Sequence, residues 1–481
     1  MYLEDRRQEN RRQDIREARW DIDLHHPVLR KLVNESHNVF VHVQKIAKET
    51  SGAALHPHIV KASKHYRSLL KTYSNELRLL GESTIDEDQK RQYENTFELL
   101  ELSELIWGLC EILFIDNPTG GLVITQLIDW LRLHDGYGDH LYSEVIQEEA
   151  PDQHPQYWDA VCIIDTLYRL VLQGQIDKVR KLLSCHSARN IDTFTSMDDL
   201  LKKMPMYANL YRGHSVAEFD MKWRHWKDEC ERRLEENEFS LNKNLEDVAR
   251  ILCGDEAVFK ELSDCCGSWY FMMVSKMLYQ NPTVKSIDLQ YCVQSCMDAY
   301  RNTTSPMGEL DNILLSAIEF DIHQVIKDSC AMFTNCWFVA HLTDLLHHCG
   351  QLEAHKLQFG SSLKEFLLLE YASSLMSHKS LWIVGVNYLD NCPEFGRFWI
   401  TLLTDALPLL EANELIFNTS DTFELMHCLE ELTREDQITK RKENQPQVLS
   451  EADKEKLGLL WLGLNRNLQR ATIGEGTVKL T

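Results

Sequence analysis

The chain has 481 residues, of which 44% are hydrophobic and 26% charged, so it can bury at least one sizeable core. It carries 51 Lys and Arg against 74 Asp and Glu, a formal net charge of −23. Because nucleic acids and anionic membrane surfaces attract basic proteins, this charge argues against either one as a direct ligand.

The first 26 residues are rich in charge and almost free of apolar residues, so we expect a poorly ordered lead-in over 1–26. From Pro27 onward, apolar residues recur with the period of a helix. In the first half of the chain, helices are predicted over residues 28–46, 58–80, 97–114, 122–133, 157–173 and 176–183. The polar segments 82–96 and 184–215 are predicted to be loops.

The second half of the chain continues the helical period with little Gly or Pro between segments. Helices are predicted over residues 219–234, 245–253, 257–278, 287–300, 310–318, 322–326, 337–345, 363–375 and 381–389. Several of their ends carry capping signals. Asp321 stands three residues before Gln324 and Ser362 three before Glu365, both capping-box spacings. Gly350 is placed to end the helix that begins at Trp337.

Short helices with tight turns cannot bury their apolar faces alone and must stack on one another. We therefore predict an all-α, irregular stacked-helix solenoid over residues 27–397. A C-terminal helical tail over 398–481 follows, with a mobile stretch at 433–450. The residues expected to form the structural core are Trp107, Trp223, Trp226, Ile313, Ile322, Trp337, Phe338 and Phe366. For Trp223 and Trp226, helical spacing favours a buried stripe over an exposed aromatic platform.

Catalytic motifs are scarce. The sequence has no phosphate-binding G-x-x-x-x-G-K-[ST], no G-x-S-x-G and no H-E-x-x-H. One group could hold zinc, and it consists of His341, His347, His348, Cys349 and His355. The alternative is that these histidines complement the dipole at a helix C-terminus, which the ligand spacing favours. No catalytic, cofactor-binding or metal-binding residue is therefore assigned.

The chain has 14 cysteines, and no apolar h-region of a signal peptide occurs near its beginning. We expect reduced, mostly buried thiols. The most apolar stretch, 105–115, contains Glu111 and is too short to span a bilayer, so no transmembrane segment is predicted.

Several runs along the chain resemble the nucleoporin eighty-five family. They are residues 105–114, 222–226, 281–285, 310–315, 320–327, 337–346, 366–372 and 398–411. The resemblance implies a folded-back, coat-like helical stack without enzymatic activity. It further implies a scaffold subunit of the Y-shaped outer-ring complex of the nuclear pore, which supports pore assembly and thereby mRNA export and protein transport. A vesicle-coat-like adaptor is the alternative within the same fold class, and a zinc-dependent enzyme the alternative outside it.

The resemblance also implies partners and a location at the nuclear envelope. Members of the family bind other subunits of the Y-shaped complex, including a Sec-thirteen-like β-propeller to which they donate strands. Residues 1–26 show no period-2 alternation, so we expect weak or absent docking to the propeller. Family members also continue through further helices where Phe398 here follows Arg397 directly, which predicts that an internal segment is missing at this point.

Overall fold

The computed structural model describes residues 26–116, 121–136, 138–140, 142–143, 161–186, 188–205, 215–301, 308–333, 336–352, 362–376, 381–393 and 395–396. Within these ranges it contains 18 α-helices and no strand, which confirms the all-α prediction. None of the described helices combines the length and the apolar run that crossing a lipid bilayer requires. The predicted lead-in before His26 and the predicted tail over 398–481 lie outside the described residues.

The helices follow one another along the chain, and most are joined by short turns. They are α1 (Pro27–Glu49), α2 (His56–Ser83), α3 (Glu87–Cys110), α4 (Ile124–His134), α5 (Val161–Leu172), α6 (Ile176–Cys185), α7 (Asp192–Lys203), α8 (Val216–Glu235), α9 (Lys243–Cys253), α10 (Glu256–Glu261), α11 (Ser263–Cys266), α12 (Trp269–Gln280), α13 (Leu289–Arg301), α14 (Glu309–Ile318), α15 (Ile322–Met332), α16 (Trp337–His348), α17 (Leu363–Met376) and α18 (Trp382–Asp390). The chain divides into two compact units, one comprising residues up to Glu104 and from Ile326 onward, the other Leu105–Val325.

In the first unit, α1 and α2 form an antiparallel hairpin. The ammonium of Lys31 lies 2.9 Å from a carboxylate oxygen of Glu76, and the hydroxyl of Tyr66 donates to the carbonyl oxygen of Ser36 at 3.4 Å. Pro27 occupies the first turn of α1, where its missing N–H costs nothing. The inner faces of the hairpin pack in a core that also includes α16, α17 and α18.

In the second unit, α12 is the central helix. It is apolar on every side, and nine of its residues are buried, which is the pattern of a helix surrounded by neighbours. It packs against α4, α5, α9 and α13, among others. The Tyr279 hydroxyl donates to the carbonyl oxygen of Val171 at 2.5 Å and so joins α12 to the end of α5.

Two segments predicted as loops are helical. Residues 82–96 have no apolar stripe, which predicts a loop. In the structure α3 begins at Glu87, and a carboxylate oxygen of Asp86 accepts a hydrogen bond from the amide of Asp88 at 3.0 Å. Acidic residues in a first turn favour a helix electrostatically, so polarity did not indicate a loop. Within 184–215, α7 spans Asp192–Lys203, because Phe194, Met197, Leu200 and Leu201 keep a buried helical stripe.

Two predicted helices differ in their extent. The helix predicted over 97–114 begins earlier, at Glu87, and continues beyond Cys110 as a π-helix over Glu111–Asp116. The helix predicted over 257–278 consists of three helices, α10, α11 and α12. The last break falls at Gly267, whose φ of +69° ends α11 in a left-handed turn.

The predicted caps are present at three helix ends. The amide of Gln324 donates to the carboxylate of Asp321 at 3.0 Å, and the amide of Glu365 donates to the hydroxyl of Ser362 at 3.2 Å. Gly350 follows α16 with a φ of +71°.

Six of the eight residues predicted for the core are buried in the structure: Trp107, Trp223, Trp226, Ile313, Trp337 and Phe338. Ile322 and Phe366 are only partly buried. Ile322 is the first residue of α15, directly after the turn. On α17, Glu365 and Leu367 occupy the inward positions on either side of Phe366.

Candidate functional site: the buried polar centre of the first unit

α16 is the helix that positions the only histidine–carboxylate group buried within the described part of the first unit. All ten residues from Trp337 to Leu346 are buried, so this helix is enclosed on every side rather than amphipathic. Three of the ten, His341, Thr343 and Asp344, are polar. Most buried polar groups are hydrogen-bonded, and the partners of His341 and Asp344 come from α1, α17 and α18 as well as from α16 itself. The hydroxyl of Thr343 has no hydrogen-bond partner among the described residues.

Both ring nitrogens of His341 have partners. Nδ1 lies 2.6 Å from the backbone carbonyl oxygen of Trp337, and Nε2 lies 2.8 Å from the hydroxyl of Tyr388 on α18. A carbonyl oxygen only accepts, so Nδ1 carries the proton and Nε2 accepts from the tyrosine. Burial lowers the pKa of His341 to about 4, which keeps the ring neutral at physiological pH.

Aromatic rings enclose this histidine. The ring centroids of Trp337, Tyr66 and Tyr371 lie 5.0, 5.1 and 5.1 Å from that of His341, and the ring of Phe40 lies tilted against that of Tyr388 at a centroid distance of 4.4 Å. These rings come from five helices. The packing therefore fixes the position of each helix relative to the others around one imidazole.

The carboxylate of Asp344 forms the second half of the centre. The side-chain amide of Gln44 on α1 donates to both of its oxygens, at 3.0 and 2.8 Å. The ammonium of Lys364 on α17 lies 2.7 Å from Oδ1, and Nε2 of His348 lies 3.4 Å from the same oxygen. One carboxylate thus joins helices that are about 300 residues apart along the chain.

The negative charge of Asp344 is balanced by the positive charge of Lys364 inside the protein. Burial alone would raise the pKa of Asp344, but the neighbouring Lys364 and His348 outweigh it and hold the pKa well below its ordinary value. The carboxylate is therefore ionised and paired. Removing one partner from a buried ion pair leaves an uncompensated charge and typically costs about 3–5 kcal/mol.

A further contact joins the end of α18 to α17. Glu365 is buried, and one of its carboxylate oxygens accepts from the amide of Phe395 at 2.8 Å. Gly396 lies very close to the carbonyl oxygen of Leu389. A Cβ atom added to Gly396 would be 1.9 Å from that oxygen. Only glycine fits at this approach.

The residues considered for zinc are not arranged as ligands. His341 and His348 belong to the buried polar centre, where His341 has a partner on each nitrogen. His347 and Cys349 end α16, and His355 lies outside the described residues. Within the described part of the chain, no three His, Cys, Asp or Glu side chains are grouped to hold a metal ion. The polar groups of the centre instead connect α16 to α1, α17 and α18 by hydrogen bonds and an ion pair.

Sequence reasoning found α16 but missed Gln44, Lys364 and Tyr388 as its partners. The signal available was Asp344 itself, a carboxylate within an otherwise apolar helix face, since such a group needs a cation or donors from elsewhere. Periodicity could not identify those donors, because they belong to other helices.

Comparisons of this sequence with known proteins give a matching family model and several similar proteins. The Nup85 nucleoporin family model matches residues 14–397 and 396–431. The nuclear pore complex protein Nup85 of Xenopus tropicalis is 44% identical over 395 residues, which cover 82% of this chain and 59% of the frog protein. Nuclear pore complex protein Nup75 of Drosophila melanogaster is 26% identical over 396 residues, covering 80% of this chain and 56% of the fly protein.

The human nuclear pore complex protein Nup85 aligns over a longer range, 604 residues at 33% identity, covering 96% of this chain and 91% of the human protein. The aligned part of this chain, 96% of its 481 residues, is shorter than the alignment. About 140 positions of the alignment therefore have no counterpart in this chain. The chain thus spans 59% of the frog relative, and the two segments matched by the family model meet at residues 396–397. A family model that matches most of the chain, and relatives that align with most of it, show that this chain belongs to the Nup85 nucleoporin family.

Proposed function

We propose that this chain is a structural scaffold subunit of the nuclear pore complex, located at the nuclear envelope, and not an enzyme. The observation that carries the proposal is the family match over residues 14–397. The buried polar centre supports it, because its histidine and carboxylate are occupied in holding helices together. In this role the chain supports pore assembly, and through it mRNA export and protein transport.

The proposed partners are the other subunits of the Y-shaped outer-ring complex. Helices that expose polar faces and bury apolar ones, as α1 and α2 do, suit a stacked solenoid whose outer surfaces bind neighbours. We propose that binding to the Sec-thirteen-like propeller is weak in this form. Strand donation depends on an extended segment with strand-forming residues, and residues 1–26 are charged and poor in them.

We propose further that the stacked domain over 27–397 is joined directly to a helical tail over 398–481 by the loss of an internal segment. The support is that the two family-model segments meet at 396–397 and that the human alignment contains about 140 positions without a residue here. Sequencing of full-length transcripts across this junction tests the proposal. A transcript that contains the junction identifies a splice form, whereas its absence identifies an incomplete gene sequence.

Affinity purification of the tagged chain from cells, followed by mass spectrometry, tests the function. We expect other nucleoporins to be enriched over a purification with an unrelated tagged helical protein. Enrichment of vesicle-coat subunits without nucleoporins would contradict the proposal. Size-exclusion chromatography with the purified propeller tests the weaker contact, and a stable one-to-one complex would show that surfaces other than residues 1–26 bind it.

A further inference from the structure

The α1–α2 hairpin has a charge opposite to that of the rest of the chain. Residues 26–83 contain nine Lys and Arg and four Asp and Glu, a net charge of +5. The whole chain has a net charge of −23, so the remaining residues have −28. A basic element of this kind in a strongly acidic protein is not expected from average composition, and it marks this hairpin as electrostatically distinct.

The positive charge is concentrated where α1 turns into α2. We call residues 41–65 the hairpin tip. Since Ser36 faces Tyr66 across the hairpin, the end of α1 and the beginning of α2 lie together at this end. The tip contains four lysines and four histidines, and Glu49 is its only acidic residue.

Three lysines of the tip are exposed and have no counter-charge within the described part of the chain. They are Lys45, Lys48 and Lys61. Among the described residues, no carboxylate oxygen lies within 4.0 Å of their ammonium groups. Farther along the same helices, Lys31 is paired with Glu76 and Arg67 with Glu104. Lys364 of α17 also lies near the tip, but the charge of this residue is already neutralised by Asp344.

The beginning of α2 adds to the positive potential of the tip. Leu55 supplies no side-chain cap, and the first turn contains no acidic residue but contains His56 and His58. α9 and α10 begin with side-chain caps, Asn242 and Asp255, whereas α4 and α16 resemble α2 in having neither a side-chain cap nor an acidic first turn. The N-terminus is the positive end of the helix dipole, and no carboxylate of the first turn offsets it here. An arrangement that stability does not favour is typical of a binding surface.

We propose that the hairpin tip is a docking surface for an acidic peptide segment of another protein. A peptide touches only the tip, because charge interactions are screened beyond about 8 Å at physiological ionic strength. A nucleic acid duplex or an anionic membrane extends beyond the tip, and a chain with a net charge of −23 does not favour so extended an anionic partner. Charge complementarity therefore favours the peptide over the other two anionic partners.

Fluorescence anisotropy with the purified chain and a labelled Glu/Asp-rich peptide tests the proposal, independently of the pore assignment. The test variant replaces Lys45, Lys48 and Lys61 by Gln. The matched control replaces Lys181, Lys202 and Lys243, three exposed lysines of the second unit, by Gln, with the same change in net charge. We expect the tip variant to bind about tenfold more weakly, as the loss of three exposed charge pairs would give, and the control to bind within about twofold of wild type.

A second variant separates binding from folding. His58→Glu places a carboxylate in the uncapped first turn of α2, so we expect its melting temperature to equal or exceed that of wild type while its affinity for the peptide falls. Equal weakening in the tip variant and the control, or no measurable binding of the peptide, would overturn the proposal. So would tip-dependent binding of phosphatidylserine vesicles or single-stranded RNA that is tighter than that of the peptide, since the occupant would then be a membrane or a nucleic acid.

Discussion

Each of the two units contains a tryptophan followed four residues later by a histidine on the same helix. In α4 of the second unit, Nδ1 of His134 lies 2.7 Å from the carbonyl oxygen of Trp130, and in α16 of the first unit, Nδ1 of His341 lies 2.6 Å from that of Trp337. The local hydrogen bond is the same. His134 is partly exposed at the end of its helix, whereas His341 is fully buried and also bonded to Tyr388.

The difference shows which level of structure determines what each histidine does. The spacing of four residues along a helix produces the contact with the tryptophan carbonyl in both units. Burial and the tyrosine on α18 then make His341 a neutral part of a core, and neither can be read from the five-residue motif. We expect substitutions in the buried centre of the first unit to have much larger effects than matched ones in the second.

The largest effect is expected for Lys364→Met, which removes the ammonium next to the buried carboxylate of Asp344 but keeps most of the aliphatic stem. An unpaired buried carboxylate should cost about 3–5 kcal/mol of stability in this region. Hydrogen exchange of α16 peptides measures this loss as a fall in the free energy of opening. Arg180→Met is the control, because Arg180 pairs with Asp198 at the surface and should cost at most about 1 kcal/mol. Similar losses in both variants would contradict the prediction.

Acid should weaken the first unit through His341. Burial lowers the pKa of this residue from 6.5 to about 4, so the unfolded chain binds a proton before the folded one does. The stability contributed by neutral His341 is complete above pH 6.5 and is lost as the pH falls to about 4, a change of about 3 kcal/mol.

Urea unfolding between pH 7 and pH 4.5, followed by near-ultraviolet circular dichroism, measures this dependence. His341→Gln should reduce the slope in this range, because the histidine whose pKa is lowered by folding is then absent. The measurements stay above pH 4 to keep the contribution of Asp344 out of the slope. Because the pKa of Asp344 is held low, the stability from its ionised form is lost only as the pH falls through the ordinary range of a carboxyl group and below it. An unchanged slope for His341→Gln would show that the histidine is not neutral in the folded state.

A smaller effect is expected for Tyr388→Phe. This change removes the hydroxyl that donates to Nε2 of His341 and leaves a buried acceptor unsatisfied, at a cost of about 1–3 kcal/mol. Tyr291→Phe provides the comparison in the second unit, where the side chain is 75% exposed and the change should be within about 0.5 kcal/mol of zero. Chemical denaturation of both variants measures the difference, and a neutral Tyr388→Phe would mean that water replaces the hydroxyl.

The smallest effects are expected at the glycines that end α9 and α16. Gly254 and Gly350 both adopt a φ near +70°, so alanine is strained at each by about 1 kcal/mol. A Cβ at Gly350 meets open space, whereas one at Gly254 would lie 3.0 Å from Cγ of Gln280. Gly254→Ala should therefore lower the melting temperature more than Gly350→Ala does. The reverse order would contradict the packing at the end of α9.

Local sequence predicted much of this fold correctly. The caps at Asp321 and Ser362 and the terminating Gly350 depend on residues within a few positions of one another, and all three are present. The helix at Asp192–Lys203 was missed because its stripe of four apolar residues lies within a polar segment. The beginning of α3 was missed because it has no apolar stripe at all, although its charges favour a helix.

The buried polar centre was beyond the reach of the same reasoning. Gln44 and Asp344 are 300 positions apart, and a periodic pattern carries no information on which helices pack together. His341 was considered only as a candidate zinc ligand or as a histidine near a helix C-terminus, since a sequence shows the residue type but not whether its nitrogens are hydrogen-bonded. The surplus of Lys and Arg in residues 26–83, in contrast, is visible in the sequence and requires only a count by segment.

The most direct test of the buried polar centre is the titration of His341 itself by NMR of the chain labelled with ¹⁵N-histidine, with its signal assigned by its loss in His341→Gln. We predict a neutral ring that carries its proton on Nδ1 at pH 7 and gains a second proton only near pH 4. A signal that titrates near pH 6.5, or one that shows the proton on Nε2, would contradict a buried histidine that donates to the carbonyl of Trp337 and accepts from the hydroxyl of Tyr388.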